Sequence, residues 1–175
     1  MTDTETPSPR RDSPLKQLLV LVLMVAIPVA VGFVAGQFTA EETDGWYEQA
    51  SVPPWNPPDW LFGPVWTTLY AVMGVAAWLV WRERLRLNAW PALWIYIGQL
   101  VLNSIWSPLF FSGYPVWGTG ALWAAMVVIV ALIVMIAVTI RAFWPISRVA
   151  AVLLTPYLGW VLYASTLNFY IALMN

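Results

Sequence analysis

Five apolar stretches, each long enough to cross a bilayer as a helix, leave this chain little alternative to a membrane bundle. A helix rises 1.5 Å per residue, so roughly 30 Å of hydrocarbon takes about 20 residues. Leu18 to Phe38, Leu61 to Trp81, Ala89 to Phe111, Trp117 to Phe143 and Ile146 to Met174 all reach that length, and charged residues occur only near their ends. Apolar residues make up 61% of the chain and charged residues 10%, against about 25% charged in a soluble domain. The expected fold is therefore all-α and integral to the membrane: a five-transmembrane-helix bundle over 15–175, a single domain. Its helices are expected near 15–38, 61–81, 89–111, 117–143 and 146–174, with a loop over 39–60. Residues 1–14, polar and rich in Ser, Thr and Pro, read as a disordered tail. The first apolar stretch is too long for a cleavable signal, lacks a small-residue cleavage pattern and is expected to be retained.

The 8 basic residues set the orientation. Arg10, Arg11 and Lys16 precede the first span, Arg82, Arg84 and Arg86 lie between the second and third, and Arg141 and Arg148 flank the joint between the fourth and fifth. With five spans all three groups fall on one side, which the positive-inside rule makes the cytoplasm, so the N-terminus is expected inside and the C-terminus outside. The outside loop holds Glu41, Glu42, Asp44, Glu48 and Asp59, read as a solvated collar rather than as cation ligands. With no organellar signal, a prokaryotic plasma membrane is the expected location.

Absent residues exclude more chemistry than any motif admits. The chain has no Cys and no His, which removes disulfides, imidazole and thiolate metal sites, axial His or Cys ligands to haem, and imidazole-dependent triads. No catalytic residue and no metal site are therefore assigned. Ion pumps, proton relays and voltage sensors need ionisable groups within the membrane, and none is present. The interior offers Gln99 and Asn103, four residues apart on one face of the third helix, and Asn168 on the fifth, whose first reading is interhelical hydrogen bonding. Gly32 and Gly36 form a GxxxG spacing that suits close helix packing, or leaves room for a ligand at Gly36. Pro28, Pro108 and Pro156 lie within spans and should bend or interrupt them.

Among 13 tryptophans, Trp78, Trp81, Trp90, Trp94, Trp117 and Trp144 read as interfacial anchors. Trp66 and Trp160 lie deeper and are expected to form the two walls of a binding slot. Trp160 shares a helical face with Ala164 and Leu167, and a flat ring beside a small residue makes a slot for a planar ligand. The segment SVPPWNPPDWLFGPVWTTLY over residues 51–70 leads into the second span. Prolines 53, 54, 57 and 58 favour a stiff extended path that holds its aromatics as a preformed lid. Asp59 is the expected N-cap of the helix that follows, and Pro64 belongs to its first turns.

Trp46-Tyr47, PPWNPPDWLFGPVWTTLYAVMG, GQLVLNSIWSPLFF and PYLGWVLYASTLN, in that order, resemble the TspO/MBR family, the tryptophan-rich sensory proteins related to the mitochondrial translocator protein. The resemblance runs from about Pro28 to Asn168. It implies a five-helix bundle, commonly a homodimer, that binds porphyrins and hydrophobic drug-like molecules beneath the first loop, and in some members sterols. In some members it also implies light-dependent porphyrin breakdown. Carried over position by position, it marks Gly36, Tyr47, Trp55, Phe62, Gly63, Val65, Trp66, Tyr70, Asn103, Trp106, Trp160, Ala164 and Leu167 as ligand-binding residues. The chain departs from the family in three places. Val52 stands where many relatives carry the Lys that would anchor a propionate, no basic residue follows Tyr170 to complete the sterol-recognition pattern of vertebrate members, and the turn Ser112 to Gly120 is longer than in mammalian relatives.

The resulting expectation is a membrane-embedded binding or sensory protein for porphyrins such as protoporphyrin IX and related planar hydrophobic ligands. It requires no cofactor, and its partners are the small-molecule ligand, the lipid bilayer and a second copy of the chain, with no nucleic acid. One alternative is a translocator of porphyrin or lipid-like molecules. Another is porphyrin photodegradation, in which the ligand supplies the chemistry and Trp66 and Trp160 are the electron-donor candidates. A third is a structural membrane partner whose cavity is packing slack.

Overall fold

The computed structural model describes residues 12–43 and 45–175, apart from the side chains of residue 38 and residues 40–43. Seven α-helices build it: α1 (Pro14–Thr43), α2 (Asp59–Arg82), α3 (Trp90–Phe111), α4 (Tyr114–Trp117), α5 (Thr119–Phe143), α6 (Arg148–Leu153) and α7 (Thr155–Met174). A 3-10 turn over Tyr47–Gln49 interrupts the first loop, and the described residues contain no strand. Five spans are long and apolar enough to cross a membrane, Arg148–Met174 counting as one. The chain is a multi-pass membrane protein. The first eleven residues of the expected tail, Asp44, and the side chains of Glu41 and Glu42 lie outside the described residues.

The helices close a ring. α1 packs on α2 and α3, α3 on α5, α5 on α6 and α7, and α6 on α2. One stripe of α5 drives the centre: Leu122, Ala125, Ile129, Leu132, Ile136, Thr139 and Phe143 are all buried. Their alternating three- and four-residue steps keep them on one helical face. Met73, Ala76, Ala77 and Val80 of α2 and Tyr157, Val161 and Ile171 of α7 fill the space opposite. The other faces carry exposed apolar residues such as Leu19, Leu23, Val127 and Val134, as lipid contact requires.

The three prolines act differently, and in two cases the carbonyl that loses its helical donor identifies how the chain compensates. Pro156 deprives the Val152 carbonyl, and Thr155 Oγ1 donates to that oxygen at 2.8 Å. The helix breaks at Leu154, so the fifth span is two helices, α6 and α7. Pro28 deprives Met24. That carbonyl lies against Gly74 of α2, where any Cβ would collide with it, so α1 and α2 touch backbone to backbone at this point. α1 nevertheless continues through Pro28, and α3 through Pro108.

Both ends of the bundle depart from the sequence expectation. α1 runs past Phe38 to Thr43, shortening the loop. The loop is not extended throughout, since Asn56 N donates to Pro53 O at 2.9 Å and closes a turn at Trp55. Pro58, not Asp59, occupies the N-cap of α2; Asp59 is the first helical residue, where a carboxylate still meets the positive end of the helix. The long turn Ser112 to Gly120 contains α4 and Gly118, whose φ of 59° and ψ of −142° only glycine adopts readily. At the opposite end Trp81 is buried rather than an exposed anchor. The Arg84 guanidinium lies 3.4 Å from its ring centroid and pairs with Asp12 ahead of α1. Trp90, Trp94, Trp117 and Trp144 are exposed, as interfacial anchors should be.

Candidate functional site

A cavity of about 500 Å3 lies between α1, α2 and α3 beneath the first loop, within the 300–1,000 Å3 usual for small-molecule sites. Its aromatic walls come from helices that cannot slide freely. The Trp66 ring stacks on Tyr70 at 5.5 Å between centroids and tilts against Trp106 at 6.3 Å. Trp106 Nε1 donates to Asn168 Oδ1 at 3.1 Å, and Asn168 Nδ2 donates to the Leu122 carbonyl at 3.0 Å. Three helices are thereby tied behind one wall. The floor is polar: Tyr70 OH donates to Asn103 Oδ1, and Asn103 Nδ2 donates to Tyr157 OH at 3.0 Å. Asn103 and Asn168 thus perform the interhelical bonding expected of them, and Asn103 also lines the cavity.

The two glycines of the GxxxG spacing have separate roles. A Cβ on Gly32 would fall inside the Tyr70 ring, so Gly32 sets how closely α1 approaches the wall. A Cβ on Gly36 would meet nothing within 4 Å, so Gly36 faces open space in the cavity. The cavity is also open along the α1–α2 seam: Phe33 is 67% exposed, and Gly36, Gly63 and Thr67 are exposed lining residues.

The loop is pinned above the cavity on two sides. Trp46 Nε1 donates to the Phe111 carbonyl at 2.8 Å, while the Trp46 ring stacks on Tyr114 at 4.0 Å. On the α7 side, Trp55 Nε1 donates to Thr166 Oγ1 at 3.3 Å, and Tyr163 OH donates to the Trp55 carbonyl at 2.6 Å. Ser51 N donates to Asn175 Oδ1 at 2.9 Å, and Asn175 Nδ2 returns a bond to Ser51 O at 3.2 Å. Tyr47 hangs from this strap into the cavity. Burial pushes its phenol up to about 12, opposed by its bond to Asn56 and reinforced by the negative charge of Asp59.

Of the residues singled out from the sequence, Gly36, Tyr47, Phe62, Gly63, Trp66, Tyr70, Asn103 and Trp106 meet in this cavity. The other five do not line it. Trp55 lies over α7, beside a shallow groove that includes Thr166 and Tyr170. Val65 and Trp160 face a second groove of about 470 Å3 between α2 and α7. Ala164 and Leu167 are packed in the core. Trp66 and Trp160 are therefore not opposite walls of one slot. Phe62 stands between them, its ring 5.9 Å from that of Trp160. A helical period places Trp160, Ala164 and Leu167 on one face but cannot tell which neighbour that face meets.

Sequence reasoning missed the α1 lining beyond Gly36, namely Val29, Gly32, Phe33, Ala35, Gln37 and Thr39, and also Thr67, Ser107, Phe111 and Asp59, the last read from the sequence as part of a solvated collar. Helical spacing carried a usable signal for two of them, because Thr67 is four residues after Gly63 and Ser107 four after Asn103. Gln99 is 1% exposed, and neither side-chain polar atom has a protein partner. Tyr96 OH and Trp160 Nε1 are likewise buried without one. No group of three or more potential metal ligands occurs among the described residues.

The TspO/MBR family model matches residues 24–174. The chain is 41% identical over 164 residues to the tryptophan-rich protein TspO of Chlorobaculum tepidum, covering 91% of this chain and 98% of that one. It is 39% identical over 145 residues to the translocator protein of Bos taurus, covering 82% of each. A tryptophan-rich sensory protein of Cereibacter sphaeroides is 36% identical over 126 residues, or 72% of this chain and 74% of that one. The matched region begins within α1 and takes in the strap between α1 and α2 and the other four spans, and the chain belongs to the TspO/MBR family.

Proposed function

We propose that this protein is a membrane receptor for planar hydrophobic ligands of the tetrapyrrole class, held in the cavity between α1, α2 and α3. The observation that carries this reading is the cavity's chemistry. Aromatic planes at Trp66, Tyr70 and Trp106 offer contact to a flat macrocycle, and Asn103 supplies a polar floor. Binding would draw mainly on apolar burial and ring stacking, with few directed hydrogen bonds. Any covalent chemistry would come from the ligand, with Trp66 as the adjacent electron donor.

The test is titration of the purified protein in lipid nanodiscs, in the dark, with protoporphyrin IX and with its dimethyl ester. Saturable binding of either, lost on filling the cavity by Gly36→Phe, supports the receptor reading. Absence of saturation by both overturns it. Illumination of the saturated complex then distinguishes a receptor, which leaves the porphyrin spectrum intact, from a site of photodegradation, which bleaches it.

The same reading puts the arginine-bearing end of the bundle in the cytoplasm of a prokaryotic cell. Single cysteines replacing the exposed Glu48 and Arg86 in this Cys-free chain should differ in labelling by an impermeant thiol reagent on intact cells. Stronger labelling at position 86 would reverse the orientation.

A further inference from the structure

We infer that the cavity selects ligands by charge, favouring neutral and cationic planar amphiphiles over those whose acidic groups lie at the loop end, with Asp59 as the specificity-determining residue. The inference deepens the receptor reading and rests on it.

Among the described residues, the cavity lining contains one charged side chain, Asp59, and no Lys or Arg. Its other polar groups, among them Gln37, Asn103 and Ser107, are neutral. The six described basic residues lie at the far end of the bundle, at Lys16 ahead of the first span's apolar run, Arg82, Arg84, Arg86, Arg141 and Arg148. Asp59 and Arg82 are the first and last residues of α2, about 35 Å apart at 1.5 Å per residue. The screening length at physiological salt is only about 8 Å. None of the described arginines can therefore offset Asp59 at the cavity mouth.

Backbone dipoles do not reverse that sign. The start of α2 brings roughly half a positive charge to the loop end, but the ends of α1 and α3 each bring roughly half a negative one. Trp46 Nε1 takes up only one of the α3 carbonyls, that of Phe111. The helix ends sum to a negative contribution, and the Asp59 carboxylate adds a full charge. The strap adds Glu48. A carboxylate brought to this mouth loses water and meets negative charge. An ammonium group there gains an ion pair next to low-dielectric walls.

The test compares three porphyrins of one macrocycle on the full chain in phosphatidylcholine nanodiscs: protoporphyrin IX with two carboxylates, its neutral dimethyl ester, and a diamide bearing two terminal amines. At low salt the expected order of affinity is diamine, then ester, then diacid, with adjacent steps on the order of fivefold to tenfold. In Asp59→Asn the ratio of diacid to ester affinity should rise by a similar factor, and in Asp59→Lys the order of diacid and diamine should invert. Raising the salt to 0.5 M should contract the wild-type series. Equal affinities for all three ligands in the wild type, or ratios unmoved by both substitutions, overturn charge selection while leaving the receptor reading intact. Failure of all three to saturate overturns the receptor reading and charge selection with it.

Discussion

Gly32→Ala and Gly36→Ala make the same chemical change one helical turn apart, and their outcomes should differ sharply. At Gly32 the new Cβ falls inside the Tyr70 ring. Tyr70 cannot yield cheaply, because its ring stacks on Trp66 and its hydroxyl donates to Asn103. Forcing a methyl into packed space costs about 1 to 3 kcal/mol. If the ring moves enough to release Asn103, buried groups left unpaired add roughly 1 to 3 kcal/mol. A total of about 2 to 6 kcal/mol corresponds to a fall in Tm of roughly 4 to 24 °C for a chain of this size. At Gly36 the methyl meets nothing within 4 Å, so Tm should move by less than about 2 °C while ligand affinity changes. Thermal unfolding of both variants in one lipid or detergent system reads the difference. In the double variant Gly32→Ala/Tyr70→Leu, which removes the ring, much of the Gly32 penalty should disappear, a coupling of at least about 1 kcal/mol. Equal stabilities of the two alanine variants, or additive behaviour in the double variant, would refute the close approach of α1 to the cavity wall.

Trp66→Ala should lose on the order of 1 to 3 kcal/mol of dark porphyrin affinity and Trp66→Phe much less, because the ring acts mainly by contact; a titration in which Trp160→Ala loses as much would put the ligand in the α2–α7 groove. Replacing Pro57 and Pro58 by Gly should weaken binding by about 1 to 2 kcal/mol through freed chain entropy with little change in helix content by circular dichroism, and unchanged affinity would detach the strap from the site. Gln99→Leu should leave stability unchanged or raise it by up to about 3 kcal/mol in thermal unfolding, since it removes an amide with no protein partner; a large loss would mean that the amide is bonded in the membrane. Hydrogen bonds from Lys16 and Arg84 hold the Asp12 carboxyl below its ordinary value, so its contribution is complete above about pH 4 and is lost as pH falls through the depressed value. Asp12→Asn should flatten the Tm profile below pH 4, and parallel profiles would remove Asp12 from the account.

The spans were legible because each is a run of apolar residues that only a bilayer or a core accommodates, whereas the cavity was legible chiefly through the family resemblance. Gly36, Trp66, Tyr70, Asn103 and Trp106, which the resemblance marks together, line one cavity. Trp160 shows the limit. Its face was assigned correctly as a face, but the break at Leu154 and the packing of α6 on α2 determine where α7 points, and those depend on tertiary contacts. The same holds for Asp59, one residue inside the helix it was expected to cap. There the difference changes a capping acceptor into a charge at the cavity mouth.

The exposed seam between α1 and α2 alters what an affinity for this protein means. Phe33, Gly36, Gly63 and Thr67 line the cavity and lie on the surface within spans, so a ligand dissolved in the hydrocarbon can reach the site without crossing water. The concentration that governs occupancy is then the mole fraction of ligand in the lipid. At fixed total ligand, doubling the lipid should halve occupancy in the dilute limit, and a Kd quoted per litre of buffer would vary with every preparation. Expressed per lipid, the same measurements should collapse onto one curve, and arrival rates should follow lateral diffusion in the membrane rather than solubility in water.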